Sequence, residues 1–405
     1  MEPFNVIAIL ITLSAFFSFI IQRFIKIPMS IGLMLLSLAT SILLILLSHS
    51  GIPIKPFTDR LVSSIDFNKV LMEGMLGFLL FAGALHVNLN DLAPKKLEIG
   101  IFASMGVLTS TIIVGCAIFV LAQGFGYPLR FIECLLFGAL ISPTDPIAVL
   151  SIMKTSGAPK SIETMIAGES LFNDGVGVVV FLLLLETATG HIELSAKRIL
   201  MLFTQEALGG VCFGLFEGYL TYALLKRINH YQSEILLTLG LVTGGYALAS
   251  ALHLSGPIAI VTAGLLIGNQ GRTFAMSDIT RDHLDNFWEL IDEILNALLF
   301  VLIGLEVLVL TLNTRYLLAG CFAVLVALAA RFISIGVPVW TLRRRRQFAP
   351  GTIRIMTWCG LRGGISVALA LSLPSELHRE LLLTMTYVVV AFSILVQGLT
   401  VKKLL

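Results

Sequence analysis

Long apolar segments constrain this chain more than any other feature of its sequence. A membrane-spanning helix needs about 20 mostly apolar residues, and thirteen stretches meet or approach that requirement. Their limits are 4–22, 29–47, 67–87, 97–121, 130–153, 163–187, 198–226, 232–252, 256–269, 285–308, 314–340, 350–373 and 380–401. Only 13% of the residues are charged, against about 25% in soluble domains. We therefore predict an all-α polytopic membrane protein, with twelve or fourteen spans as alternatives because the ninth segment is short.

Lysine and arginine residues in the connections predict the orientation. If the N-terminus lies outside, the inner connections contain 16 of these residues and the outer connections contain 8. Positive residues favour the cytoplasmic side. We expect a plasma (inner) membrane protein with the N-terminus outside and the C-terminus in the cytoplasm. The arginine run 343–346 suits an inner loop between two spans better than a nucleic-acid site, and no stretch predicts a soluble regulatory domain.

The fifth segment is interrupted by the sequence Ser-Pro-Thr-Asp-Pro at 142–146. Two prolines three residues apart break a helix, because each removes an N–H donor and clashes with the preceding turn. Inside a membrane, the freed backbone must be buried in protein or line a watery cavity. Asp145 either caps the half-helix that follows or has a functional role, and a charged cap at bilayer depth is the more costly choice.

The twelfth segment is interrupted by glycines around a charged residue, Arg362. Gly360, Gly363 and Gly364 permit non-helical backbone angles and close approach of another chain segment. An arginine in an apolar span requires a carboxylate partner, so Arg362 acts either as a structural clamp or as part of a site.

These two interruptions are seven segments apart, and an odd offset inverts the topology. The third and tenth segments have the same offset and share a Leu-Leu-Phe core, at 79–81 and 298–300. Paired interrupted helices in corresponding halves are typical of transport sites in folds with inverted repeats. The pattern therefore favours a transporter.

The sixth segment contains a polar cluster in an otherwise apolar span: Glu169, Ser170, Asn173 and Asp174. Residues four apart share a helix face, so these side chains form one polar sector. Carboxylate, hydroxyl and amide oxygens suit hard cations. A buried carboxyl also favours its neutral form, so one aspartate can hold either a proton or a cation. This competition suffices for exchange, although Asp174 alone could also be a structural acid paired with a basic group.

The charges of Asp145, Glu169, Asp174 and Arg362 sum to −2. If Glu169 pairs with Arg362, two aspartates remain and Asp174 is the free carrier. Other charged residues inside predicted spans fit helix-end or locally paired positions: Glu73, Glu206, Glu217, Glu293 and Arg331.

Three motifs, in this order, resemble the NhaP-type sodium/proton antiporters, which are relatives of the animal sodium/proton exchangers. They are SPTDPIAVL at 142–150, GESLFNDGVGVVVF at 168–181 and GLRGGISVALAL at 360–371. The resemblance implies a thirteen-helix fold with inverted repeats and a homodimer. It implies a core domain at 97–190 and 314–405, and a dimerisation domain at 1–90 and 197–310, within one transporter unit.

The resemblance also implies roles for individual residues. Asp174 is the expected Na⁺ and H⁺ carrier, Asn173 supports the site and Arg362 pairs with Glu169. The Asn-Asp pair implies electroneutral exchange of one Na⁺ for one H⁺. The expected additional ligands are Thr144, Asp145, Glu169 and Ser170.

We therefore expect Na⁺/H⁺ antiport, with Li⁺ as a possible substitute. K⁺/H⁺ antiport is the alternative, because the ligand types do not separate the two ions. A channel or an organic-anion carrier is less favoured, since acids outnumber arginine in the core. We expect no enzymatic activity, no cofactor, and no metal beyond the transported cation.

Overall fold

The computed structural model describes residues 3–49, 70–157, 159–190, 196–308, 310 and 313–404, and these are helical with short connections. The main helices, in chain order, are α1 (Pro3–Ile20), α2 (Met29–His49), α3 (Leu76–Leu85), α4 (Val107–Phe125), α5 (Phe131–Ile141), α6 (Ile147–Ser156), α7 (Lys160–Ala188), α8 (Ala196–Leu225), α9 (Tyr231–Ala251), α10 (Gly256–Leu266), α11 (Asp278–Leu305), α12 (Thr314–Leu342), α13 (Thr352–Trp358), α14 (Gly364–Leu371) and α15 (Arg379–Phe392).

Every predicted segment contains helix within the described residues. Residues 67–69 of the third segment and the side chain of Glu73 lie outside that part of the chain. Eight of the described helices are long and apolar enough to cross a membrane, and shorter apolar helices accompany them. The number of crossings therefore stays a prediction, whereas the all-helical architecture is observed.

Both predicted interruptions are present, and they meet each other. Helix α5 ends at Ile141 and α6 begins at Ile147, while α13 ends at Trp358 and α14 begins at Gly364. The backbone N–H of Asp145 donates to the carbonyl of Leu361 over 2.8 Å. Each break thus supplies part of the hydrogen bonding that the other lost, which satisfies backbone groups away from water.

Close packing at the breaks depends on small residues. A Cβ added at Gly363 would lie 2.2 Å from Oδ2 of Asp145, and one added at Gly177 of α7 would lie 2.2 Å from Cγ of Pro143. Neither position has room for a side chain. The two breaks and the polar face of α7 therefore lie against one another.

The remaining helices pack in two groups. Helix α5 packs on α4 and α7, and α12 packs on α4 and α15. Helix α11 packs on α2 and α3, and α10 packs on α8 and α3. Because α13 packs on α12, and α14 packs on α5 and α15, the first group contains both breaks and all of the predicted site residues.

Candidate cation site

The break between α5 and α6 is held to α7 by a small hydrogen-bond network. The side chain of Asn173 donates to Oγ1 of Thr144 over 2.8 Å and accepts from the backbone N–H of Thr144 over 3.4 Å. The hydroxyls of Thr144 and Ser170 are 3.1 Å apart. All three side chains are buried. Asn173 therefore orients the break, as its predicted supporting role requires.

Asp174 follows on the same helix and lies close enough to Asp145 for their charges to interact. These two aspartates, with Thr144 and Ser170, line a cavity of about 990 Å³. We call these four residues the core wall of the cavity. Carboxylate and hydroxyl oxygens brought together in this way suit a small hard cation.

The cavity opens at one end of the helix bundle. From the aspartates it extends to His86 and Asp91, which follow α3, and to Lys160 and Glu163 at the start of α7. These connections are among those that the lysine and arginine count assigns to the inner side. In this conformation the site is reached from that end.

Glu169 has a different partner from the predicted one. Arg331 of α12 binds it with both terminal guanidinium nitrogens: Nη1 contacts Oε1, and Nη2 donates to Oε2 over 2.8 Å. Both side chains are almost completely buried, at 1% and 6% exposed. The predicted pairing with Arg362 is wrong. Both oxygens of Glu169 accept from Arg331, and Glu169 does not line the cavity.

Arg362 instead closes the end of a half-helix. Its Nη1 donates to the carbonyls of Ser142 over 3.0 Å and Pro143 over 3.1 Å. The last carbonyls of a helix have no intrahelical partner and carry the negative end of its dipole. A buried guanidinium at the end of α5 offsets both, so Arg362 stabilises the break that presents Asp145.

The sequence as a whole matches a known family. A family model described as "Sodium/hydrogen exchanger, transmembrane" matches residues 9–405. The chain belongs to the sodium/hydrogen exchanger family.

Two relatives show how far this similarity extends. The chain is 49% identical to the Na(+)/H(+) antiporter NhaP of Pseudomonas aeruginosa, over 99% of this chain and 96% of that protein. It is 33% identical to the Na(+)/H(+) antiporter NhaH of Halobacillus dabanensis, over 95% and 93%. The resemblance inferred from the three motifs is confirmed.

A solved antiporter structure has the same fold. The sodium proton antiporter MjNhaP1 from Methanocaldococcus jannaschii, in a structure at pH 8, aligns with a TM-score of 0.78 at 20% identity. The alignment covers 100% of this chain and 98% of that one. The predicted NhaP-like fold is confirmed.

Sequence reasoning missed two parts of the site region. The first is Arg331, to which the argument applied to Arg362 also applies, since an arginine in an apolar span requires a carboxylate. The second is a polar stripe on α11 that lines the same cavity and includes Glu293. We call this stripe the α11 wall; its residues are Glu289, Asp292, Glu293 and Asn296. Their spacing of three, four and seven was a readable sign of a shared helix face.

Proposed function

We propose that this chain is a secondary active antiporter that exchanges Na⁺ for H⁺, with Asp174 as the residue that holds either ion. The observation that carries the proposal is the pair Asp145 and Asp174 at the meeting point of two broken helices, at the end of a cavity that opens to one side. The names of the relatives, which are Na⁺/H⁺ antiporters, support the same ion pair and favour Na⁺ over K⁺.

Competition for Asp174 supplies the exchange. Its carboxylate, with oxygens from Asp145, Thr144 and Ser170, forms a ligand set for one Na⁺ ion. When Asp174 is protonated, the same oxygens lose their net attraction for the ion. The protein needs to make or break no covalent bond other than that to the proton, which is consistent with a transporter rather than an enzyme.

The charges near the site support a ratio of one to one. With every group ionised, three carboxylates and two guanidinium groups give a net charge of −1: Asp145, Glu169, Asp174, Arg331 and Arg362. One Na⁺ or one H⁺ neutralises this set equally well. Moving one elementary charge across a membrane costs about 2.3 kcal/mol per 100 mV. The site loaded with either ion therefore crosses the membrane without that cost. The empty site keeps its charge of −1, which opposes its movement.

The helix packing supports the division into moving and static parts. We propose that residues 97–190 and 314–405 form a core that moves against a dimerisation domain, residues 1–90 and 197–310, in a homodimer. Packing of α12 on α4 and α15, and of α11 on α2 and α3, is consistent with these boundaries. We also propose a plasma-membrane location with the N-terminus outside.

Proton movement in vesicles tests the function. Full-length protein in proteoliposomes should move protons when a Na⁺ gradient is imposed, and move fewer with a K⁺ gradient. Asp174→Asn should abolish the Na⁺-driven signal, because the amide cannot take up the proton. Asp282→Asn, an exposed change on α11 that does not line the cavity, is the control. Wild-type rates in the Asp174→Asn protein would refute the proposal.

A further inference from the structure

The α11 wall faces the cavity across from the aspartates of the core wall. Glu289, Asp292, Glu293 and Asn296 recur at helical spacing on one side of α11, and all four line the cavity. Asp292 lies close enough to Asp145 for their charges to interact. An ion in the cavity therefore has carboxylates on two sides of it.

Asn296 lines this wall and has a buried side-chain oxygen that accepts no hydrogen bond. The residue is 6% exposed, and its Oδ1 has no hydrogen-bond partner. Asp292, one turn earlier on the same helix face, lines the cavity beside it. An unpaired buried amide oxygen is unfavourable, and a cation held between this oxygen and the Asp292 carboxylate would satisfy it.

The balance of charge differs between the two walls. Two guanidinium groups, Arg331 and Arg362, lie behind the core wall. On the cavity lining the basic side chains are His86, which also lies near Asp292, and Lys160, whose ammonium is 3.5 Å from Asp91. No described arginine lines the cavity beside the α11 wall. The α11 wall therefore attracts cations more strongly than the core wall does.

We propose that Asp292 and Asn296 form a second site for a monovalent cation, with Glu289 one turn nearer the opening, where Na⁺ binds before it reaches Asp174. The inference deepens the proposed function, because it adds an entry site to the same ion path. The ligands are one carboxylate and one amide oxygen, a set suited to a partly hydrated Na⁺ ion.

Transport kinetics test the site in full-length protein in proteoliposomes. A Na⁺ concentration series should give a higher KM for Asp292→Asn, by about fivefold, from the lost attraction in the cavity. The maximal rate should stay within about twofold, because the Asp174 step is untouched. Asp292→Glu should keep a KM close to that of wild type, and Asp282→Asn, on the same helix, is the charge-matched control.

Asn296→Ala separates ligation from simple charge attraction. This change removes the unused oxygen without altering charge, so a binding site predicts a KM increase of about threefold. Asn286→Ala, an exposed change on the same helix, should leave the KM unchanged. A wild-type KM for Asn296→Ala would overturn the site even if Asp292→Asn raised the KM.

Direct Na⁺ binding keeps the test independent of transport. Calorimetry on the detergent-solubilised Asp174→Asn protein should detect residual Na⁺ binding that the added change Asp292→Asn removes. Binding that persists in the double variant would overturn the proposal. If wild-type protein does not exchange Na⁺ for H⁺, the proposed function fails. If it exchanges and Asp292→Asn has a wild-type KM, only the entry site fails.

Discussion

The two walls of the cavity contain similar side chains but are built differently. Behind the core wall, Arg331 forms an ion pair with the buried Glu169, and Arg362 caps the half-helix that presents Asp145. The α11 wall contains three acids without an arginine and an amide oxygen without a partner. The difference suggests two roles. The core wall has a defined net charge and moves with the bound ion, and the α11 wall attracts cations toward the core wall.

The largest effect should come from breaking the buried pair behind the core wall. Arg331→Met leaves Glu169 charged and unpaired in the interior, and we expect a loss of about 3–5 kcal/mol of stability. Thermal unfolding in detergent would measure it. The double variant Glu169→Gln with Arg331→Met should recover most of the loss, because no lone charge remains. If both proteins unfold at the same lowered temperature, the pair is not the cause.

A smaller effect should follow from filling the space between the two breaks. Gly363→Ala places a Cβ where Oδ2 of Asp145 lies, 2.2 Å away. Overpacking costs about 1–3 kcal/mol, and the displaced carboxylate should also reduce Na⁺-driven proton movement. Gly336→Ala inside α12, where the nearest atom to the added Cβ is Cγ2 of Ile353 at 3.9 Å, controls for the loss of a glycine. Normal transport by Gly363→Ala would show that the site tolerates a shift of Asp145.

The smallest effect should be at the α11 side of the molecule. Arg281 and Asp278 form an ion pair at the start of α11 whose side chains are 36% and 92% exposed. Such pairs contribute about 1 kcal/mol or less, so Asp278→Asn should shift unfolding slightly and leave exchange unchanged. A loss of stability as large as that of Arg331→Met would mean that burial does not explain the difference in stability between the two ion pairs.

The contrast between these pairs also shows what the sequence could reveal. The Ser-Pro-Thr-Asp-Pro break, the glycine-rich break and the polar face of α7 are local patterns, and each was predictable. The partner of Glu169 was not, because Arg331 is 162 residues away and two buried arginines competed for three acids. Only the three-dimensional fold, which brings Arg331 of α12 to Glu169 of α7, decides the pairing.

The extent of α11 was missed for a different reason. The predicted tenth segment begins at residue 285, whereas the helix begins at Asp278, after Ser277 accepts a hydrogen bond from the N–H of Thr280. This capping pattern is visible in the sequence. The apolar threshold excluded the polar first turns of the helix, residues 278–284. The stripe from Glu289 to Asn296 lay inside the predicted segment, where the search for apolar runs passed over it.

The net charge of the five charged groups at and behind the core wall gives the most direct test of the whole account. In proteoliposomes with the membrane potential clamped, the wild-type protein should move one Na⁺ against one H⁺, with the same rate at 0 and at about −100 mV. The reason is that either ion neutralises the single negative charge that remains among the five charged groups. A net current during Na⁺-driven proton movement, or a rate that changes steeply with voltage, would contradict it.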